Sequence, residues 1–160
     1  MIRLATINDL PDIVAIYNQT IPLRYVTADL TPITLESRID WFNQFSENRP
    51  LWVYESASKV VAWGSLRSFY GRPAYNSTVE IAIYIDEKYR KLGIGEQILL
   101  HAHRECKRIG IENILAFIFA NNLGSINFFK KHGYLEYGLL PKVAEIDNKK
   151  IDLAILGYSI

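Results

Sequence analysis

Residues 78–119 place the tightest limit on the fold. Thr78 to Ile85 is rich in β-branched residues and reads as a strand. Asp86 to Gly95 is a polar turn carrying Gly93 and Gly95. Beyond it, Ile94, Ile98, Leu99, Ala102, Cys106 and Ile109 fall on one helical face, with Glu96, Gln97, Arg104, Glu105, Lys107 and Arg108 off it. Gly110 stands where a helix commonly ends in a left-handed glycine. Asn113 to Phe119 is apolar nearly throughout, the pattern of a strand inside a sheet. Strand, turn, helix and strand in this order predict a βαβ crossover.

The flanking segments fit around that unit. Ile2 to Ala5 reads as a short strand. Asn8-Asp9-Leu10-Pro11 reads as a helix start, because Asn or Asp caps free amides and Pro is tolerated in the first turn. Leu10, Ile13, Val14, Ile16 and Tyr17 follow at helical spacing. Thr34 is the candidate N-cap of a second helix through about Phe45, with Leu35, Ile39, Trp41, Phe42 and Phe45 supplying apolar surface; Trp41, Phe42 and Phe45 are assigned to the core, with lining of a substrate pocket as the alternative. The irregular stretch 21–33, with Arg24 and Tyr25, suits one wall of a pocket.

Leu51 to Glu55 and Val60 to Arg67, joined by Ser56-Ala57-Ser58-Lys59, predict a hairpin, and Ser68 to Ser77 a loop. Ser125 to Lys131 reads as a short helix closed by His132-Gly133. Tyr134 to Leu139 and Lys150 to Tyr158 complete a last pair of strands. The order β-α-α-β-β-β-α-β-α-β-β predicts a mixed α/β fold, a central mixed sheet flanked by about four helices.

Composition narrows the function classes. The 160 residues, 49% hydrophobic and 22% charged, match one globular domain over 1–160. The formal net charge is +1, and no stretch is dominated by Lys or Arg, so no nucleic-acid or membrane partner is expected. The lone cysteine, Cys106, allows no internal disulfide and falls on the core face of its helix. No signal-like segment opens the chain, so the default location is the cytoplasm. His101 and His103 diverge by about 200° around a helix, so no metal site is expected.

Arg90-Lys91-Leu92-Gly93-Ile94-Gly95 is the main candidate for chemistry. The first amides of a helix lack internal partners, and the helix dipole favours anions there. Glycine lets a phosphate approach the backbone, and Arg90 and Lys91 add charge. A Walker loop would continue Lys-Ser/Thr after its last glycine, whereas Glu96-Gln97 follows here. A dinucleotide fingerprint needs a glycine at position 98, which is Ile98, and an acid after the next strand, where Phe119-Ala120 stands. The remaining candidate is an Arg/Gln-x-x-Gly-x-Gly/Ala turn that holds the pyrophosphate of coenzyme A. A bland strand-to-helix turn is the alternative for these six residues alone.

Downstream comes Asn122-Leu123-Gly124-Ser125-Ile126-Asn127-Phe128-Phe129-Lys130-Lys131-His132-Gly133-Tyr134. With the glycine turn, it resembles the paired motifs of the GNAT acetyltransferase superfamily. The opening Arg3-x-Ala5-Thr6-x-x-Asp9-Leu10-Pro11 and the stretch Arg72-Pro73-Ala74-Tyr75-x-x-Thr78-Val79-Glu80 resemble its phosphinothricin and methionine sulfone/sulfoximine N-acetyltransferase group.

That resemblance implies an acetyl-CoA-dependent enzyme, a small-molecule amine acceptor and a homodimer. It places the cofactor's pantetheine arm beside Ile83, Tyr84 and Ile85, and its pyrophosphate on the amides from Lys91 to Glu96. Asn122 would meet the pantetheine arm or the diphosphate, and Ser125 would either join it or cap its own helix. Glu80, a charge inside an apolar strand, is the implied base for the amine, with a structural carboxylate or an anchor for the amine as the alternatives. Arg72 and Tyr75 are candidates to hold an acceptor's carboxylate or phosphinate, with an ordinary surface arginine in a loop as the alternative.

One position departs from the superfamily. Phe129 stands where many members carry a tyrosine acid and this group often a histidine. The thiolate then leaves unassisted, or Tyr134 or Tyr137 serves. A coenzyme-binding sensor without turnover, or an acetyltransferase for polyamines or protein N-termini, are the competing functions.

Overall fold

The computed structural model describes residues 1–160. A seven-stranded sheet runs through it in the order β1-β2-β3-β4-β5-β7-β6. The strands are β1 (Ile2–Leu4), β2 (Leu51–Ser56), β3 (Lys59–Ser68), β4 (Thr78–Ile85), β5 (Asn113–Phe119), β6 (Leu135–Ile146) and β7 (Lys149–Ser159). The helices are α1 (Leu10–Asn18), α2 (Ile39–Phe42), α3 (Ile94–Arg108) and α4 (Leu123–Lys131). Every strand pair is antiparallel except β4 with β5, which α3 connects. This is the expected mixed sheet with its single crossover.

The sheet is buried on both faces. On one, α3 and α4 cover Val79, Ile81, Ile114, Ala116 and Ile118, with Leu99, Ala102, Cys106 and Phe129 supplied by the helices. On the other, Leu10, Ile13, Val14 and Ile16 of α1 pack on Leu51, Val53 and Trp63. α3 lies so close to β3 that a Cβ at Gly64 would stand 2.5 Å from the Ile98 side chain. Gly110 ends α3 at φ 75°, and the Ile111 amide returns to the Cys106 carbonyl at 2.9 Å.

Local chemistry sets most boundaries. The hairpins β2–β3 and β6–β7 turn through Ala57-Ser58 and Asp147-Asn148, all at positive φ, the twist that tight hairpins need. α1 begins where expected, at Leu10, directly after a 3-10 segment at Ile7–Asp9. There the Thr6 amide donates to Asp9 at 2.7 Å, and Arg3 grips both Asp9 oxygens at 2.8 Å.

Two expectations are corrected. The helix assigned to Thr34–Phe45 is α-helical only over Ile39–Phe42, with a 3-10 turn at Glu36–Arg38 before it. Thr34 does accept from the Ser37 amide, at 3.2 Å. Past Phe42 the Gln44 and Phe45 amides reach back three residues, not four. Ser37, Asp40 and Asn43 are weak helix formers, which favours this tighter, broken course. β6 runs beyond Leu139 to Ile146, because an edge strand tolerates Pro141 where its register shifts between Leu140 and Ala144.

Candidate active site

β4 and β5 pair only through Thr78–Glu80 and Asn113–Leu115. From Ile81 onward they diverge, and a cleft opens between them lined by Glu80, Tyr84, Phe117, Asn122, Ser125 and Phe129. A larger cavity adjoins each side. One, of about 490 Å³, includes Ile83, Tyr84, Ile85, Arg90, Lys91, Gly95, Asn122, Ser125 and Phe128 in its lining. The other, of about 330 Å³, includes Tyr17, Arg38, Trp41, Trp63, Ser65, Arg67, Glu80 and Tyr84. Tyr84 lines all three spaces, and Glu80 lines the cleft and the smaller cavity. The three form one path through the sheet.

The larger cavity ends at the start of α3. Gly93 adopts φ 78° as the residue before the helix, so no side chain caps the amides of Ile94, Gly95 and Glu96. A Cβ at Gly95 would lie 3.2 Å from Ile85 and 3.5 Å from Phe128, inside the cavity wall. Arg90 folds back to donate to the Ile85 carbonyl at 3.2 Å and still lines the cavity. Gln19 fixes the turn, donating to Asp86 and accepting from the Glu87 amide, each at 3.0 Å. Free amides, two cations and a long apolar wall suit a diphosphate joined to an extended amide-bearing arm.

Four of the residues assigned to the cofactor do not line the cavity with their side chains. Leu92 is 63% exposed, Ile94 is buried beneath α3, and Gly93 and Glu96 face outward. They bear on the site through backbone alone. Asn122, rather than Ser125, caps α4: its Oδ1 accepts from the Ser125 amide at 3.2 Å. Its Nδ2 is left for the cavity, and the Ser125 side chain lines that wall too.

Glu80 sits half-buried on the α1 side of β4 with no hydrogen-bond partner in the protein. Burial raises its pKa above the usual carboxylate range, opposed by the nearby charge of Arg67. Tyr84 stacks on Trp63 at 4.5 Å and 20°. Tyr17 bonds Thr27 and Asp29, and its hydroxyl is pushed up to about 12, chiefly by burial. Arg38 pairs with Asp29 at 3.1 Å and lies 5.2 Å and 5.5 Å from the Tyr17 and Trp41 ring centres.

The path does not include every expected residue. Arg72 and Tyr75 lie on the exposed β3–β4 loop, where Tyr75 packs edge-on against Phe69. Neither lines the cavities beside Glu80, and Arg67 and Arg38 are the arginines there. Tyr134 is 1% exposed, stacked with Tyr158 and bonded to His103 at 3.1 Å, so it is a core residue. Tyr137 covers Gly157 on the edge hairpin, away from the cleft. Phe129 does line the cleft, and neither tyrosine brings a proton to it. Trp41 packs against the core, as expected, and lines the smaller cavity as well.

Sequence reading missed the rings of Tyr17, Tyr84 and Trp63 and the polar pair Ser65 and Arg67. The available signal was the alternation Trp63, Ser65, Arg67 along β3, which keeps polar groups on one face of a buried hairpin.

A sheet split between two parallel strands, with an anion-ready helix start at one mouth and a half-buried glutamate at the other, is the architecture of a two-substrate group transferase. Residues 12–134 match the acetyltransferase (GNAT) family, and the chain belongs to it. A Bacillus subtilis protein, YwnH, provisionally named a phosphinothricin acetyltransferase, is 50% identical over 99% of this chain and 98% of its own. The L-methionine sulfoximine/L-methionine sulfone acetyltransferase of Pseudomonas paraeruginosa is 29% identical, covering 99% of this chain and 94% of its own. The crystal structure of an N-acetyltransferase from Staphylococcus aureus superimposes with TM-score 0.93 at 34% identity, over 99% of this chain and 97% of that one. No helix here is long and apolar enough to cross a membrane.

Proposed function

We propose that the protein moves the acetyl group of acetyl-CoA to the α-amine of a small amino acid or analogue, of the phosphinothricin, methionine sulfone or methionine sulfoximine type. Transfer is by direct attack with both substrates bound. One observation carries this reading: Glu80 stands where the smaller cavity opens into the cleft that leads to the start of α3. An acceptor in the smaller cavity meets the end of a cofactor in the larger one at that carboxylate. The names of the relatives support the acceptor class.

Acetyl-CoA supplies a thioester whose carbonyl carbon accepts a nucleophile and whose thiolate is a fair leaving group. The chain's residues do the rest. The amides at the start of α3, with Arg90 and Lys91, hold the diphosphate. The edge of β4 at Ile83, Tyr84 and Ile85, free of a strand partner toward β5, pairs with the pantetheine amides as an added strand would. Asn122 donates to the same arm through Nδ2.

Glu80 takes the proton that the ammonium must lose before its nitrogen can attack, directly or through one water. The new C–N bond forms as the C–S bond breaks, the sulfur leaves with the electron pair, and the nitrogen sheds its second proton to water. Phe129 has no proton to give, so the thiolate departs unassisted and is protonated from water.

A panel of amino acids, methionine sulfone, methionine sulfoximine and phosphinothricin, read by thiol release, tests the reading. Glu80→Gln is expected to keep coenzyme A affinity by calorimetry and to lose about 100-fold or more in kcat. Equal turnover by wild type and variant removes Glu80 from the mechanism.

A further inference from the structure

One cation and one hydroxyl in the smaller cavity have no protein partner, and both stand beside Glu80. In the β3–β4 ladder Arg67 is opposite Glu80, Ser65 is opposite Ala82 and Trp63 is opposite Tyr84. All six line the cavity. Side chains directly opposite in such a ladder have Cβ atoms about 4.5–5.5 Å apart. Opposite charges placed so ordinarily close on one another. Arg67 and Glu80 do not: none of the chain's ion pairs includes either.

Ser65 is 1% exposed, yet its hydroxyl opens on the cavity and takes no partner within the protein. The chain leaves no side-chain polar atom both buried and unpaired, so this hydroxyl is reached from the cavity and is free to meet a ligand there. The other arginine of this wall is already engaged. Arg38 holds Asp29 and lies over Tyr17 and Trp41.

We propose that Arg67 and Ser65 hold the acceptor's α-carboxylate while its α-amine faces Glu80. This rests on the acetyl-transfer reading above and narrows it: the site selects acceptors that carry a carboxylate on the carbon bearing the amine. An α-amino acid presents a positive and a negative group on one carbon. The cross-strand pair presents the complementary charges one ladder spacing apart. Arginine suits a carboxylate through two parallel N–H donors, and Ser65 adds a third. The small Ala82, opposite Ser65, leaves room for the Cα. Trp63, stacked on Tyr84, makes an apolar wall for the acceptor's side chain.

The same wall selects against polyamines. A second cation on the acceptor would meet Arg67, and Arg38 already covers the Tyr17 and Trp41 faces that would otherwise attract it.

The test compares two acceptors with one side chain, L-methionine sulfone and its primary carboxamide, by thiol release. The readout is the ratio of kcat/KM for acid over amide. The amide's amine loses its proton more readily, so basicity alone favours the amide. Wild type is expected to favour the acid by roughly tenfold or more. Arg67→Gln should lower kcat/KM on the acid about 10- to 100-fold, mainly through KM, and bring the ratio toward one. Arg67→Lys should recover part of the ratio, and Ser65→Ala should lower it less. Calorimetric binding of coenzyme A verifies that each variant is folded.

A ratio near one in wild type overturns the proposal and leaves acetyl transfer standing. So does an unchanged ratio in Arg67→Gln, whether both rates fall alike, with Arg67 acting only through Glu80, or neither falls. No thiol release by wild type with any amine of the panel overturns the function and this proposal together.

Discussion

The two ends of the path through the sheet are built in opposite ways. The larger cavity draws on two short stretches, Ile83 to Gly95 and Asn122 to Phe129, with four additions from residues 20–26. Backbone does much of its work: uncapped amides, a strand edge and close approach at Gly95. The smaller cavity gathers single side chains from α1, the segment before β2, β3 and β4. Its chemistry is entirely in side chains. Backbone sites tolerate many sequences but admit little bulk. Side-chain sites admit many shapes, and each residue decides what fits.

That contrast can be tested from both ends. The largest effect is expected from bulk at the backbone-built end. Gly95→Val puts a branched side chain against Ile85 and Phe128. Overpacking of this kind costs about 1–3 kcal/mol, so KM for acetyl-CoA should rise about 10- to 100-fold, with acceptor KM little changed. Initial-rate kinetics in both substrates would show it. Equal rises in both would blur the division between the ends.

Asn122 separates its two roles by chemistry. Asn122→Asp keeps an acceptor for the Ser125 amide and loses the Nδ2 donor. Coenzyme A binding should weaken several-fold, with thermal stability held. Asn122→Ala should lose both, with about 1 kcal/mol of stability. Calorimetry and thermal melts check the pair. Equal melting loss in both variants would mean that the introduced carboxylate does not cap the helix.

The third expectation concerns pH. Burial disfavours the charged form of Glu80, so the acidic limb of kcat/KM should lie above the range of an ordinary glutamate. Activity should fall as pH drops through that raised value, since the protonated acid accepts nothing. Glu80→Gln should remove the limb from whatever activity remains.

The smallest effect lies outside both ends. The Arg3 guanidinium holds Asp9 down to about 2. Its folded value is below its unfolded one, so the stabilisation is full above about pH 4 and is lost as pH falls through 2. Asp9→Asn should lower stability by about 2 kcal/mol at neutral pH and flatten the acid limb of the melting curve, with both KM values kept.

The contrast also governs what was legible in the sequence. β4 and β5 have the bounds expected from their β-branched and apolar runs, because turn residues close each of them. The glycine turn was legible because the helix start, the two glycines and the cations are adjacent. Side-chain assembly was not. Arg67 and Glu80 are 13 positions apart and become neighbours only through the β3–β4 register. Arg72 and Tyr75 stand out for the stretch that carries the resemblance and for arginine's fit to oxyanions, and the fold puts both on an exposed loop outside the linings beside Glu80. Trp41 packs on the core and lines the cavity at once, a double role that helical spacing alone does not reveal. The length of β6 was hidden by Pro141, which only pairing with β7 makes acceptable.

The early parting of β4 and β5 bears on the protein's lifetime in a cell. An interruption in the middle of a sheet is a weak seam, and a ligand lying in it acts as the missing rung. Anything that binds the folded chain and not the unfolded one stabilises it by mass action. With the proposed cofactor arm in the seam, the melting temperature and the rate of proteolysis would follow acetyl-CoA supply. A starved cell would then hold less of this enzyme with no change in its synthesis.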